Sequence, residues 1–393
     1  MLPFEGLVVL DLSRGYPPAY ATMTLADFGA EVIRVDPPPA ESRRSDRVDN
    51  QAEVAAYATL LRNKRSIIIN LRNEEGQAVL YELVKKADIL VEGFRPGVMA
   101  RLKADYDTLK EINPGLIYCS LSGFGSDGPY AHRPGHDMNY VALAGVLSLI
   151  GERNGSPYLP SNFIADYAGA ALQGLVGILI ALAAREKTGK GQHVDIAYVD
   201  GVISLLAQES PNYFRTGVVP RRGETMLTGG VPWVNVYKCK DGEYITIAPI
   251  ETHLYENLCK AIGKEELIAK QFTTPEEYEE IKAVFTEVFL EKTRDEWFEF
   301  LADKNTCVGP VNYLNEAFTD PQVLHRKMVV ELEHPEIGKV KQVGIAVKLS
   351  DTPGEIKSLG TVSGAHTGEI LLGLGYSKEK IEKLQNDGAV GSA

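Results

Sequence analysis

The sequence predicts an α/β fold in which a large domain, built on a mainly parallel sheet, is joined to a smaller α+β domain. Three observations predict it. Between residues 7 and 121 short apolar runs alternate with segments of helical periodicity; from about Gly229 that rhythm stops and a hairpin signal takes its place; beyond residue 331 β-like runs and a short helix return. A chain of 393 residues is long enough for two domains of ordinary size.

Leu7 to Leu12 is short and apolar and predicts a strand, Tyr20 to Gly29 has helical spacing and stops at a glycine, and Glu31 to Val35 predicts a second strand. The rhythm continues with a strand over Ser66 to Asn70, an amphipathic helix over Glu74 to Lys86, and strands over Ile89 to Val91 and Leu116 to Leu121. Such alternation gives parallel strands covered by helices, with ligands beyond the carboxyl ends of the strands. The large domain is therefore Rossmann-like in layout, although no Gly-x-Gly-x-x-Gly follows the first strand, which argues against a dinucleotide. Ala168 to Ala184, the most apolar stretch, lies between Asp166 and the charged residues 185–187; it is short for a membrane span and predicts a buried helix. His193 to Ala197 is strand-like and Val202 to Gln208 helical. Asp241-Gly242 separates two β-rich runs, a strong hairpin signal, and residues 275–302 carry helical periodicity. These elements divide the chain into a large domain over 1–200, a linker helix region over 201–228, a small domain over 229–330 and a C-terminal segment over 331–393, whose last seven residues predict a frayed tail.

A net charge of −12 argues against nucleic-acid partners and against an anionic membrane surface, because both need a basic face. Asp11 and Arg14 follow the first apolar run too soon for a signal peptide, and four scattered cysteines suggest neither a disulfide framework nor a zinc site. The expectation is a cytoplasmic protein without a membrane partner.

Chemistry concentrates where glycines let a backbone approach a ligand and polar residues project from turns: residues 123–130, Gly-Phe-Gly-Ser-Asp-Gly-Pro-Tyr, then 134–140 and 164–170. His136 is a candidate acid or base, with Asp137 beside it to orient a ring or bind a ligand; a surface histidine in a Gly/Pro loop would look the same. Asp166 opens the apolar helix, where a carboxylate is partly desolvated and near a helix N-terminus, or merely caps it. Glu251 follows an apolar run and also fits a helix-start carboxylate. Lys64, Arg65, Arg95 and Arg101 are candidate donors to phosphates, or solvated surface charge. The histidines show no metal-ligand spacing, and no metal is expected.

Taken in order, residues 5–13, 26–36, 62–67, 92–98 and 113–118 resemble the class III CoA-transferase family, also called CaiB/BaiF, through nearly the whole chain. In the transferases of that family an aspartate becomes an acyl anhydride and then an aspartyl-CoA thioester, and Asp166 matches it. Gly135-His136-Asp137 followed by Asn139-Tyr140, the stretch 165–170, and residues 247–255 with Glu251 resemble the racemase branch, which inverts 2-methylacyl-CoA thioesters. The resemblance implies His136 and Asp166 as the two bases, Glu251 as support for the imidazole, and Asp137 and Tyr140 among the coenzyme contacts. Coenzyme A would be part of the acyl-CoA substrate, with no prosthetic group. It also implies an interlocked homodimer, each chain an open ring through which its partner passes, and a C-terminal segment that returns to the large domain. One departure stands in the first βα turn, Gly-Tyr-Pro-Pro-Ala-Tyr at 15–20, where many members carry Ala-Gly-Pro.

Overall fold

The computed structural model describes residues 1–38 and 51–393, the side chains of residues 51 and 52 excepted. Six strands run parallel: β1 (Val8–Leu12), β2 (Glu31–Asp36), β3 (Lys64–Ile69), β4 (Ile89–Glu92), β5 (Ile117–Ser122) and β6 (His193–Ala197). They lie in the order β3-β2-β1-β4-β5-β6. The chain winds outward from β1 in one direction through β2 and β3 and in the other through β4, β5 and β6. The switch point is the crevice past the carboxyl ends of β1 and β4, which pair with Leu12 opposite Glu92.

Both faces of this sheet are covered, which is why its strands are nearly unbroken apolar runs. Leu10, Ile67, Ile69, Leu90 and Tyr118 pack on one face with Val79, Leu80 and Leu83 of the helix Glu74–Val84 and with Ile370, Leu371, Ile381 and Leu384. Asn73 caps that helix by accepting from the Glu75 amide at 2.9 Å. Val9, Val32, Val91, Ile117 and Leu121 pack on the other face with Leu25, Ala170, Ile178 and Ala181.

The first helix runs Tyr16–Asp27, four residues earlier than its spacing predicts, because Pro17 and Pro18 fit the first turn, where amide protons have no intrahelical acceptor. The expected frayed tail is corrected: Val390–Gly391 pairs antiparallel with Ile69 and Ile68 at the edge of the sheet, and Ala389 and Val390 are buried. A two-residue strand in a glycine-rich context is too short to carry a period.

The long apolar segment is also corrected. Phe163–Ala171 is a π-helix that passes directly into the α-helix Leu172–Thr188. Among the described residues Phe163–Thr188 is the one helix long and apolar enough to cross a membrane. Gly174 and Ile178 seat it on the sheet, and Gly174 lets Leu121 approach. Its far side leaves Leu172, Val176, Leu179 and Ile180 exposed rather than buried.

The chain divides into two compact units: residues 1–144, 161–205 and 321–393 form the first, and residues 145–160 and 206–320 the second. The segment 145–160 thus leaves the large domain in mid-sequence, and the C-terminal segment begins ten residues earlier than expected. The second unit holds the antiparallel sheet β7 (Asn235–Lys238), β8 (Tyr244–Ile247) and β9 (Val308–Pro310), with the predicted turn at Gly242. Its core is aromatic: Trp233, Tyr237, Phe285, Phe289 and Trp297, with the Trp297 indole donating to the Phe289 carbonyl at 2.9 Å.

Candidate active site

The site is assembled within the first unit, at the switch point. Gly123 and Gly135 press on the ring of Tyr140; a Cβ on Gly123 would stand 2.4 Å from the ring and its hydroxyl, and one on Gly135 2.7 Å. Only glycine allows that approach. Phe124 and Tyr198 meet Tyr140 edge-on at 5.1 and 5.2 Å, and burial pushes the Tyr140 hydroxyl up to about 12. The turn so fixed delivers His136 to the position before the helix Asp137–Leu143, where its amide donates to Asn139 Oδ1 at 3.0 Å. The amides of Asp137 and Met138, in the first turn of that helix, have no acceptor among the described residues.

Asp137 is 5% exposed, and its Oδ2 accepts from the amides of Ala165 and Asp166 at 2.8 and 2.9 Å. This clamp ties the His136 turn to the first turn of Phe163–Ala171. Asp166 is held there, and Asn162 Nδ2 donates to its Oδ2 at 3.2 Å. The segment is unusual at both ends: Ser161, just before it, takes φ 58, and at its close the Leu172 amide bonds to the Tyr167 carbonyl five residues back. Wide helical turns and left-handed non-glycine residues gather where geometry serves a function. Gly201 makes the close packing below possible, since a Cβ there would fall 1.8 Å from the Gly169 carbonyl oxygen. The Asp166 carboxyl is pushed above its ordinary range, first by burial and then by the like charge of Asp137, against the Asn162 hydrogen bond and the His136 charge.

Three cavities follow one another along the crevice. Tyr16, His136, Asp137, Asn162, Asp166 and Tyr167 line one of about 450 Å³. A second, of about 520 Å³, shares Tyr16, His136 and Asp166 and adds Arg14, Arg95, Ser122 and Tyr140. A third, of about 330 Å³, shares Arg14 and Phe94 with the second and combines Arg72 and Arg101 with the aliphatic Ile69, Leu71 and Leu102. The Arg14 guanidinium lies over the Phe94 ring at 5.3 Å. The arrangement is a channel with cations at one end and the His136 imidazole and Asp166 carboxyl at the other.

The family model described as CoA-transferase family III matches residues 4–367. The chain belongs to that family. It is 37% identical to a protein named alpha-methylacyl-CoA racemase from Homo sapiens, over 98% of this chain and 97% of the relative. It is 32% identical to succinyl-CoA:glutarate CoA-transferase from Homo sapiens, over 99% of this chain and 90% of the relative. Among solved structures, a CAIB/BAIF family protein from Brucella suis superposes with a TM-score of 0.81 at 30% identity, covering 95% of this chain and 99% of that one. The family is thus shared by racemases and transferases at comparable similarity.

Of the residues singled out in the sequence, the crevice brings together His136, Asp137, Tyr140, Asp166, Arg95 and Arg101. Glu251 stands in the second unit, before the helix Thr252–Ala261. Lys64 is corrected from a phosphate donor to a core residue: its ammonium is buried and bonds Asp11 Oδ2, the Ala19 carbonyl and Thr22 Oγ1 at 2.8, 2.9 and 2.8 Å, which uses all three protons. Arg65 lines none of the three cavities and pairs with Glu31 and Glu369 at 2.7 and 2.9 Å. Arg14, Tyr16, Arg72 and Asn162 were not anticipated. Arg14 and Tyr16 had a signal, their place immediately after the first strand; Asn162 had none, since its reach depends on the wide turn.

Proposed function

We propose that the chain racemises 2-methylacyl-CoA thioesters by moving a proton at the carbon next to the thioester carbonyl. The observation that carries the proposal is His136 facing the same cavity as Asp166. A transferase needs a nucleophilic carboxylate and an acceptor acid; inversion of a stereocentre needs two groups that exchange protons, one for each face of a planar enolate. A partly desolvated carboxyl and an imidazole are both groups that can take and give a proton.

The α-proton leaves to one of these groups and the other delivers a proton to the opposite face. The charge that develops on the thioester oxygen falls to the first-turn amide of Asp137, whose residue lines the same cavity and which carries the positive end of the helix dipole. Asp137 keeps this amide and the Asp166 backbone in register through its two accepted hydrogen bonds. Arg14, Arg95, Arg72 and Arg101 supply fork-shaped donors for the phosphates of coenzyme A, which enters as part of the substrate. The chain is further proposed to act as a homodimer, supported by the apolar stripe of Leu172, Val176, Leu179 and Ile180, too continuous to be left in water; a monomer by light scattering at micromolar concentration contradicts it.

The second reading, a CoA-transferase with Asp166 as nucleophile, is favoured by family members that are transferases, such as the 32%-identical relative. The two separate on one requirement. A single enantiomer of a 2-methylacyl-CoA, incubated with the protein and no acceptor acid, becomes a mixture of both enantiomers by chiral chromatography if the proposal holds; turnover only after a carboxylic acid is added assigns the transferase.

A further inference from the structure

Glu92 closes β4, a strand made otherwise of Ile89, Leu90 and Val91, and is 6% exposed. A strand covered on both faces favours an apolar side chain there, and a buried carboxyl is unfavourable unless something engages it. Asp11, the other buried acid of the central strands, has the Lys64 ammonium at 2.8 Å. Glu92 has no ion-pair partner among the described residues. Burial pushes its carboxyl up to about 7, against the hydrogen bond from the Phe94 amide, and the charge of Asp195 adds to the rise. Glu92 also lines none of the three cavities of the crevice, so neither the core nor a direct contact with a ligand accounts for it.

What Glu92 holds is the turn that follows it. Its Oε2 accepts from the Phe94 amide at 2.6 Å. Gly93, between the two, is pressed on the helix Tyr16–Asp27; a Cβ there would stand 3.0 Å from Pro18 Cγ. The next two side chains are walls of the channel. Phe94 lines both the cavity of about 520 Å³ and that of about 330 Å³ and carries the Arg14 guanidinium over its ring, while Arg95 faces the first of the two. The Arg95 carbonyl then accepts from the Val98 amide at 3.1 Å, and Gly97, at φ 81, leads into the short helix Val98–Arg101. One hydrogen bond to the peptide between Gly93 and Phe94 thus sets the direction in which the ring and the guanidinium leave the strand end. A leucine at 92 would fill the same space and leave that peptide free to rotate.

We propose that Glu92 is a positioning residue of the coenzyme channel: by holding the Phe94 amide it aims Phe94, the Arg14 that rests on it, and Arg95 at the coenzyme. The proposal rests on the reading of the crevice as the coenzyme site and is independent of the choice between racemase and transferase. Its test is the calorimetric Kd of coenzyme A itself, with urea unfolding in parallel, for wild type, Glu92→Leu, Glu92→Ala and Glu92→Gln. Glu92→Leu and Glu92→Ala should fold and bind coenzyme A about tenfold more weakly, the scale of a hydrogen bond to a charged group. Glu92→Gln should recover most of the loss, because its amide oxygen still accepts from Phe94 and a neutral group suits the buried position. In α-deuterium exchange of 2-methyldecanoyl-CoA the same variants should raise KM and leave kcat within about twofold, since the acid pair is untouched. A wild-type Kd in Glu92→Leu, or a loss in Glu92→Gln equal to that in Glu92→Leu, overturns the proposal. Failure of both Glu92→Leu and Glu92→Ala to fold also overturns it, because Glu92 then serves the sheet and not the turn. Wild-type protein that binds no coenzyme A overturns the reading of the channel instead. Binding without exchange overturns the racemase reading alone, and the Kd comparison still decides the role of Glu92.

Discussion

Replacing Lys64 by methionine separates a core role from a coenzyme role. The side chain keeps its apolar stem and loses its charge, leaving Asp11, which is 0% exposed, with the Thr22 hydroxyl at 2.7 Å and the Ser13 amide at 2.9 Å. Breaking a buried pair from one side costs about 3–5 kcal/mol, a large share of a domain's 5–15 kcal/mol. In the native protein burial pushes the Asp11 carboxyl up, but the Lys64 charge and the hydrogen bonds from Lys64, Ser13 and Thr22 outweigh it and hold the carboxyl below its ordinary range. That stabilisation is present above the unfolded carboxyl value of about 3.9 and is lost as pH falls through the folded value. Without Lys64, burial is less opposed, the folded value rises, and the penalty of Lys64→Met grows as pH rises from about 4. Urea unfolding followed by circular dichroism at two pH values measures the loss; adding Asp11→Asn should recover part of it, since no buried charge remains. A loss below about 1 kcal/mol, together with an acyl-CoA KM raised tenfold, would refute the reasoning and return Lys64 to the phosphates.

Asn162→Ala removes the donor that favours the Asp166 carboxylate, so the carboxyl rises further and the limb of the pH–rate profile on which Asp166 acts as base moves to higher pH; an unmoved limb means another group titrates there. Arg14→Ala, which takes a guanidinium from two of the three cavities, raises KM for acyl-CoA by about tenfold with a much smaller change in kcat, the scale of a hydrogen bond to a charged group, as steady-state kinetics will read. Truncation after Gly388 exposes the sites of Ala389 and Val390 and removes the edge pairing with β3, lowering stability by about 2–4 kcal/mol in thermal or urea unfolding.

The parallel sheet was legible because strands covered on both faces must be apolar from end to end, and the runs at Val9, Ile67 to Ile69 and Leu90 announce themselves without any knowledge of the fold. His136 and Asp166 were singled out in segments thirty residues apart, and the structure brings both to one cavity. Charges were read less well. Lys64 and Arg14 are cations of similar standing in the sequence, yet one is consumed in the core and the other faces the crevice; the signal for Lys64 was Asp11, an acid inside an apolar strand, which demands a buried partner. The excursion of residues 145–160 into the second unit left no signal, because membership there depends on packing that no local period encodes. The long helix misled for a related reason: composition does not say which side of an apolar helix is covered, and Leu172, Val176, Leu179 and Ile180 stay exposed.

The most direct test of proton transfer at the α-carbon uses D2O. The purified protein is incubated with a single enantiomer of a 2-methylacyl-CoA, without acceptor acid, and α-deuterium incorporation is followed by mass spectrometry in wild type, His136→Ala and Asp166→Ala. Proton transfer between two bases gives deuterium in both enantiomers with wild type and a loss of inversion, read by chiral chromatography, of about 10²–10⁴-fold in each variant, the usual share of a positioned acid or base. Inversion that survives in His136→Ala, or no deuterium in wild type while CoA passes readily to an added carboxylic acid, would contradict it.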